Sequence, residues 1–129
     1  MRSRYSAFAL GLGAYLVRTL SESHADFALP HDELARTLAR AKEKQRFTGL
    51  RILHASASEG RGEVLFFARI FERGQDRSFA ELSDFVRENG SWRYASGITL
   101  AKADLPVDLD AMTPASFVAL AEAKAGRAN

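Results

Sequence analysis

Between Arg61 and Thr99 the side chains alternate in character with a period of two, and short clusters of turn-forming residues interrupt the alternation. That pattern commits this half of the chain to an antiparallel sheet of hairpin-linked strands. Val64 to Phe71 is the most apolar run, with Arg69 its only charge. Arg73-Gly74-Gln75-Asp76 turns the chain, Ser78 to Arg87 forms the next strand, and Trp92 to Thr99 the last. Asn89-Gly90 joins these two and is the strongest hairpin signal, because a two-residue turn needs positive φ at both positions. Upstream, Phe47 to Ala57 alternates in the same way and leads through Glu59-Gly60-Arg61-Gly62 into the apolar run.

Alternation sorts the sheet into two faces. Val64, Phe66, Ala68 and Ile70 fall with Phe79, Glu81, Ser83 and Phe85, and with Trp92, Tyr94 and Ser96. This heavier, more aromatic face is expected under helices. The opposite face holds Leu65, Phe67, Phe71, Leu82 and Val86, with Arg69, Asp84, Arg93 and the small Ala80 and Ala95. A contiguous apolar patch of that kind is seldom left in water. A second copy of the chain is the favoured cover, and a C-terminal helix the alternative.

Helices flank the sheet. Tyr5, Phe8, Leu12, Tyr15, Leu16 and Leu20 recur every three or four residues, so Ser3 to Leu20 reads as one helix with a soft spot at Gly11 and Gly13. Arg2 and Arg4 before an apolar run imitate a secretion signal, but such a signal needs no helical stripe, and the run from Ala7 to Val17 is too short to span a membrane. After a turn-rich linker from Ser21 to Pro30, Asp32 is placed to cap a second helix that runs to about Gln45. Thr113-Pro114 marks the start of a short third helix with Phe117, Leu120 and Ala121 on its apolar side. The whole reads as one α+β domain over 1–129, with a core over 1–99 and a C-terminal extension over 100–129.

No cysteine is present, which excludes disulfides, thiol catalysis and cysteine-ligated zinc. The net charge of +2 is too small to imply nucleic acid. Arg36, Arg40, Lys42, Lys44, Arg46 and Arg51 nevertheless form a basic stripe opposed only by Glu43, which reads first as a solvated helix face and second as a phosphate-tracking surface. His24, His31 and His54 share no ligand spacing, and no phosphate loop, dinucleotide motif or nucleophile elbow occurs.

Met1-Arg2-Ser3-Arg4-Tyr5-Ser6-Ala7-Phe8, with Tyr15-Leu16 after it, resembles the start of the central domain of the YchJ-like family. The likeness continues at Phe47-Thr48-Gly49-Leu50, where that family more often begins with tryptophan, and at Gly62-Glu63-Val64 with Phe66-Phe67-Ala68-Arg69. It is clearest from Glu81 through Ser83, Phe85-Val86-Arg87 and Asn89-Gly90 to Trp92-Arg93-Tyr94. The resemblance implies a cone of the nuclear transport factor 2-like, or cystatin-like, kind, with helices in the concavity of a bent antiparallel sheet. It implies no reaction. The zinc-binding SEC-C motifs that members commonly add need cysteines this chain lacks, so it looks like a core domain without those extensions. Ala80 stands where the family tends to have histidine before the glutamate.

Tyr5, Tyr15, Phe66, Glu81, Ser83, Trp92 and Tyr94 are therefore the expected ligand pocket. Glu81 has two readings: a half-buried carboxylate bonded to Tyr5, Tyr15, Arg2 or Arg4, or a pocket carboxylate that anchors a ligand or acts as a base. The favoured function is a non-catalytic module binding a small molecule or a protein, without cofactor, metal or assigned catalytic residue. One alternative is an isomerase or dehydratase with Glu81 as base and Tyr5 or Tyr15 as donor. Another is an RNA- or ribosome-associated accessory using the basic stripe. The expected setting is the cytoplasm. The expected partners are an unknown small molecule and a homodimer mate through Leu65, Phe67, Phe71, Leu82 and Val86, rather than nucleic acid or a membrane.

Overall fold

The computed structural model describes residues 1–128. Five helices, α1 (Arg2–Leu10), α2 (Gly13–Arg18), α3 (His31–Ala39), α4 (Ala41–Lys44) and α5 (Pro114–Ala128), bracket a bent antiparallel sheet. Its strands are β1 (Gln45–Ser58), β2 (Arg61–Glu72), β3 (Gln75–Asp76), β4 (Phe79–Glu88) and β5 (Ser91–Ala101). They lie in the order β1-β2-β4-β5, with the short β3 paired to β2. The fold is α+β, helices first and a curved sheet after.

All three hairpins turn on two residues of positive φ: Glu59 and Gly60 (48° and 80°), Arg73 and Gly74 (52° and 76°), and Asn89 and Gly90 (50° and 81°). Asparagine tolerates this left-handed conformation; glutamate and arginine adopt it at a cost. The first two turns are thus tighter than the four-residue turns expected, and the strands run further toward them.

The single helix expected over Ser3 to Leu20 is two. Gly11 takes φ of 70° and ends α1, and α2 restarts at Gly13. A β-carbon on Gly13 would stand 1.9 Å from the Ala35 carbonyl oxygen, so this glycine lets α2 lie directly on α3. The break also rotates the buried stripe. Arg4 and Ala7 face inward from α1, while Leu10 and Leu12 are 63% and 49% exposed. The second helix is likewise divided, and Pro30 rather than Asp32 precedes its first turn. Asp32 and Glu33 sit inside that turn, where they favour the helix dipole.

The concave face of the sheet buries Phe66, Ala68 and Ile70 against Tyr5, Phe47, Leu50 and Phe79. Beside this cluster, Val17, Leu20 and Leu34 join α2 to α3 and reach Tyr94. Bulges after Phe47 and Ile52 in β1, and opposite the Asp84–Phe85 step, bend the sheet around the helices. The last bulge corrects one assignment. It shifts β5 by one residue, so Tyr94 pairs with Phe85 but Ser96 pairs with Asp84, on the face opposite the helices.

The outer face is covered by the chain itself. Leu65, Ala80, Leu82 and Leu100 pack against Met112 and Phe117, with Phe67, Leu105, Leu109 and Leu120 at the margin. Thr113 Oγ1 accepts from Ser116 N (3.1 Å) and Ser116 Oγ accepts from Thr113 N (2.9 Å), a reciprocal cap that starts α5 where Thr113-Pro114 predicts it. Leu65 and Leu82 are therefore buried beneath α5 and the turns leading to it. Phe67, Phe71 and Val86 are half-buried. Among the described residues no helix is long and apolar enough to cross a membrane.

Candidate functional site

Glu81 and Tyr94 form the most connected polar group in the concavity. Glu81 Oε2 accepts from Ser83 Oγ (2.5 Å) and Tyr94 Oη (2.8 Å), and Oε1 accepts from Thr99 Oγ1 (3.0 Å). Register places these groups together: Glu81 pairs with Thr99 and Ser83 with Gly97, on adjacent antiparallel strands. A β-carbon on Gly97 would come within 2.5 Å of both Glu81 Oε2 and Tyr94 Oη, so only glycine leaves room for this bond. Burial, then the nearby Glu81 charge and its hydrogen bond, pushes the Tyr94 hydroxyl well above the ordinary tyrosine range.

Tyr94 is held from every side. Its amide donates to Thr19 O (2.7 Å) and its carbonyl accepts from Ser21 N (2.9 Å), a parallel bridge that pins the chain after α2 to the edge of β5. Phe85 meets its ring edge-on at 5.7 Å, and the Arg4 guanidinium lies 4.9 Å from the ring centroid on a cation–π contact. Glu81 thus finds its partners on the sheet. Neither tyrosine of the helices bonds to it, and Arg2 and Arg4 make no ion pair with it.

A cavity of about 410 Å³ opens next to this group, at the end of the sheet where β1 turns into β2. Ser3, Arg4, Tyr15 and Thr19 line it from the helices. Ala55, Ala57, Val64, Phe85 and Trp92 line it from the sheet. Of the seven residues expected at a pocket, the structure brings Tyr15 and Trp92 to this wall. Phe66 and Ser83 are buried in the sheet, and Glu81 and Tyr94 are bonded to each other behind the wall. Tyr5 lies outside it too: its hydroxyl accepts from Gly49 N (2.8 Å) and braces the first bulge of β1. Arg4, Thr19, Phe85 and the alanines of β1 were not singled out for the pocket. A cation within an otherwise apolar helix face is the available signal for Arg4, which the sequence offers only as a possible partner of Glu81.

The fold divides the basic stripe. Lys42, Lys44 and Arg46 gather with Arg73 around an open hollow near the β2–β3 turn, while Arg51 bonds Asp110 before α5. The histidines hold local structure. His24 Nδ1 accepts from Asp26 N (2.9 Å), His31 Nε2 meets Phe27 O (2.8 Å), and His54 Nε2 lies 3.9 Å from Glu63.

This arrangement of helices, curved sheet and aromatic hairpin is that of known proteins. The family model of the YchJ middle NTF2-like domain matches residues 1–97. The chain belongs to the YchJ-like family. A UPF0225 protein of Chromobacterium violaceum is 40% identical over 101 residues, covering 76% of this chain and 70% of that protein. A UPF0225 protein of Vibrio parahaemolyticus is 37% identical over 99 residues, covering 75% of this chain and 56% of its own length. The YchJ-like chain thus spans little more than half of that second relative. Among solved structures, a SEC-C motif containing protein from Rhodopseudomonas palustris superposes with a TM-score of 0.65 at 35% identity, over 78% of this chain and 75% of that one. A domain of unknown function with a cystatin-like fold from Nostoc punctiforme superposes with a TM-score of 0.60 over 97% of this chain and 90% of its own. At 14% identity the second likeness speaks for the fold alone.

Proposed function

We propose that this YchJ-like domain is a non-catalytic binding module that takes a small molecule into the cavity between α1, α2 and the β1–β2 end of the sheet. One observation carries the reading. The cavity is of ligand size and is walled by apolar side chains together with polar groups from both the helices and the sheet, whereas Glu81 and Tyr94, the groups best suited to acid–base work, are committed to each other and do not line it. Three hydroxyl donors leave the Glu81 carboxylate well satisfied, which favours a structural role over that of a base. The bacterial relatives and the cysteine-free chain favour a bacterial cytoplasmic setting for such a module.

A fragment screen read by amide NMR tests this. Binders are expected to shift the amides of Ala55, Ala57 and Val64 together, and Ala55→Trp, which fills the cavity mouth, is expected to abolish the shifts while the rest of the spectrum stays dispersed. Fragments that shift other regions only, or that bind Ala55→Trp equally well, would sink the reading. Turnover of a carbon acid that disappears in Glu81→Gln would replace it with the enzyme alternative.

A further inference from the structure

Arg4 is a charged side chain that the fold buries and does not neutralise. It is 6% exposed, and it enters none of the ion pairs among the described residues. Its Nη1 donates to the Leu16 carbonyl (2.9 Å) and to the Thr19 hydroxyl. A guanidinium has five N–H donors across three nitrogens. Nε and Nη2 donate to no group among the described residues. Yet no fully buried side-chain nitrogen or oxygen among those residues lacks a partner, so these two atoms keep some open surface. Arg4 also lines the 410 Å³ cavity. Burial lowers the Arg4 pKa, with Tyr94, whose ring the guanidinium covers, Glu81 and Tyr15 opposing the shift. The cation is therefore desolvated and only partly compensated, a state that costs free energy until an anion sits beside it.

The rest of the wall limits which anion fits. Ser3 and Thr19 add hydroxyls beside Arg4, Val64, Phe85 and Trp92 add apolar surface from the sheet, and Ser56 and the Glu63 carboxylate also line the cavity from β1 and β2, so a bound anion must sit on the Arg4 side. Trp92, which lines this wall, is 40% exposed, and a β-carbon on Gly62 would meet its indole at 3.3 Å, so the glycine seats the indole close against β2. We infer that the cavity binds a small organic carboxylate, its carboxylate forked onto Nε and Nη2 of Arg4 and its apolar body laid against Phe85 and Trp92. This deepens the binding-module reading and rests on it.

Trp92 is the sole tryptophan of the chain, so its fluorescence reports the wall directly. The full chain is titrated with phenylacetate, with its neutral isostere phenylacetamide, with phenethylamine and with inorganic phosphate. Phenylacetate is expected to bind at least tenfold tighter than the amide, phenethylamine and phosphate more weakly still, and the Arg4 Nε–H resonance is expected to move with phenylacetate alone. Arg4→Lys keeps the charge but removes the fork; it is expected to lose at least tenfold in phenylacetate affinity while its circular dichroism is retained. Should that variant fail to fold, the wild-type Nε–H resonance still decides. Equal affinity for phenylacetate and phenylacetamide would overturn the carboxylate inference and leave the binding module standing. Phosphate tighter than phenylacetate would overturn it in favour of a phosphoryl ligand. No response to any of the four, nor to benzoate or phenylpropanoate, would overturn the inference, and a fragment screen without shifts at Ala55 to Val64 would remove the binding module as well.

Discussion

At the residue scale the concavity is governed by how hydroxyls are shared around one carboxylate. Tyr94 Oη donates to Glu81 at 2.8 Å, and the ring that carries it is fixed by Phe85 and Arg4. Tyr94→Phe removes one of three donors and keeps the ring. A hydrogen bond to a charged group contributes about 1.5–3 kcal/mol, and Ser83 and Thr99 remain, so a loss near the low end, about 1.5 kcal/mol, is expected in urea unfolding at neutral pH. The pH dependence has a definite sign. The folded state holds the Tyr94 pKa above the ordinary 10.0, so the unfolded chain gives up this proton first. The stabilisation is complete below pH 10.0 and is lost as pH rises from there toward the folded value. The gap between wild type and Tyr94→Phe should therefore narrow above pH 10.0, and a gap that stays constant to the alkaline limit would disprove the assignment.

At the element scale the hairpins show what the sequence discloses and what it conceals. Asn89-Gly90 declares its turn because both residues suit positive φ. Glu59-Gly60 and Arg73-Gly74 fold identically, yet Glu59 and Arg73 give no such sign and were read as parts of longer turns. A non-glycine residue in this region stores about 1 kcal/mol or more, which asparagine partly relieves by bonding locally. Glu59→Asn and Arg73→Asn should each raise the melting temperature, and Asn89→Glu should lower it. The opposite order in thermal unfolding would show that other contacts of Glu59 and Arg73 outweigh the backbone. The helices were less legible for a related reason. Periodicity finds the apolar stripe of the first helix, but the left-handed Gly11 restarts the phase, and Leu12 is turned out. Arg4 enters only as a possible mate for Glu81, and neither Thr99, which donates to Glu81, nor Gly97, which leaves room for the Glu81–Tyr94 bond, is legible, because cross-strand register depends on bulges that alternation does not reveal.

At the scale of the whole molecule, the two-faced sheet was legible from alternation alone, but what covers its outer face was not. An apolar patch of Leu65, Phe67 and Leu82 states only that something must lie there. The structure supplies α5 and the turns before it, with Met112 and Phe117 driven into the patch. A homodimer through this face would have to displace a segment that is already tethered to it, and a tethered segment competes at high effective concentration. Charging the face with Phe67→Glu is therefore expected to destabilise each chain rather than to split a pair. The unmodified chain should sediment near 14.2 kDa at micromolar concentration. Phe117→Ala should lower unfolding free energy by about 3–5 kcal/mol, because a fully buried phenylalanine leaves a cavity that Leu65 and Leu82 cannot fill. With α5 loosened in this way, the patch is free to find a second copy. Self-association that appears in Phe117→Ala and not in wild type would establish α5 as the occupant of the face, whereas a wild-type species of twice the monomer mass, dispersed by Phe67→Glu, would show that a partner subunit prevails over α5.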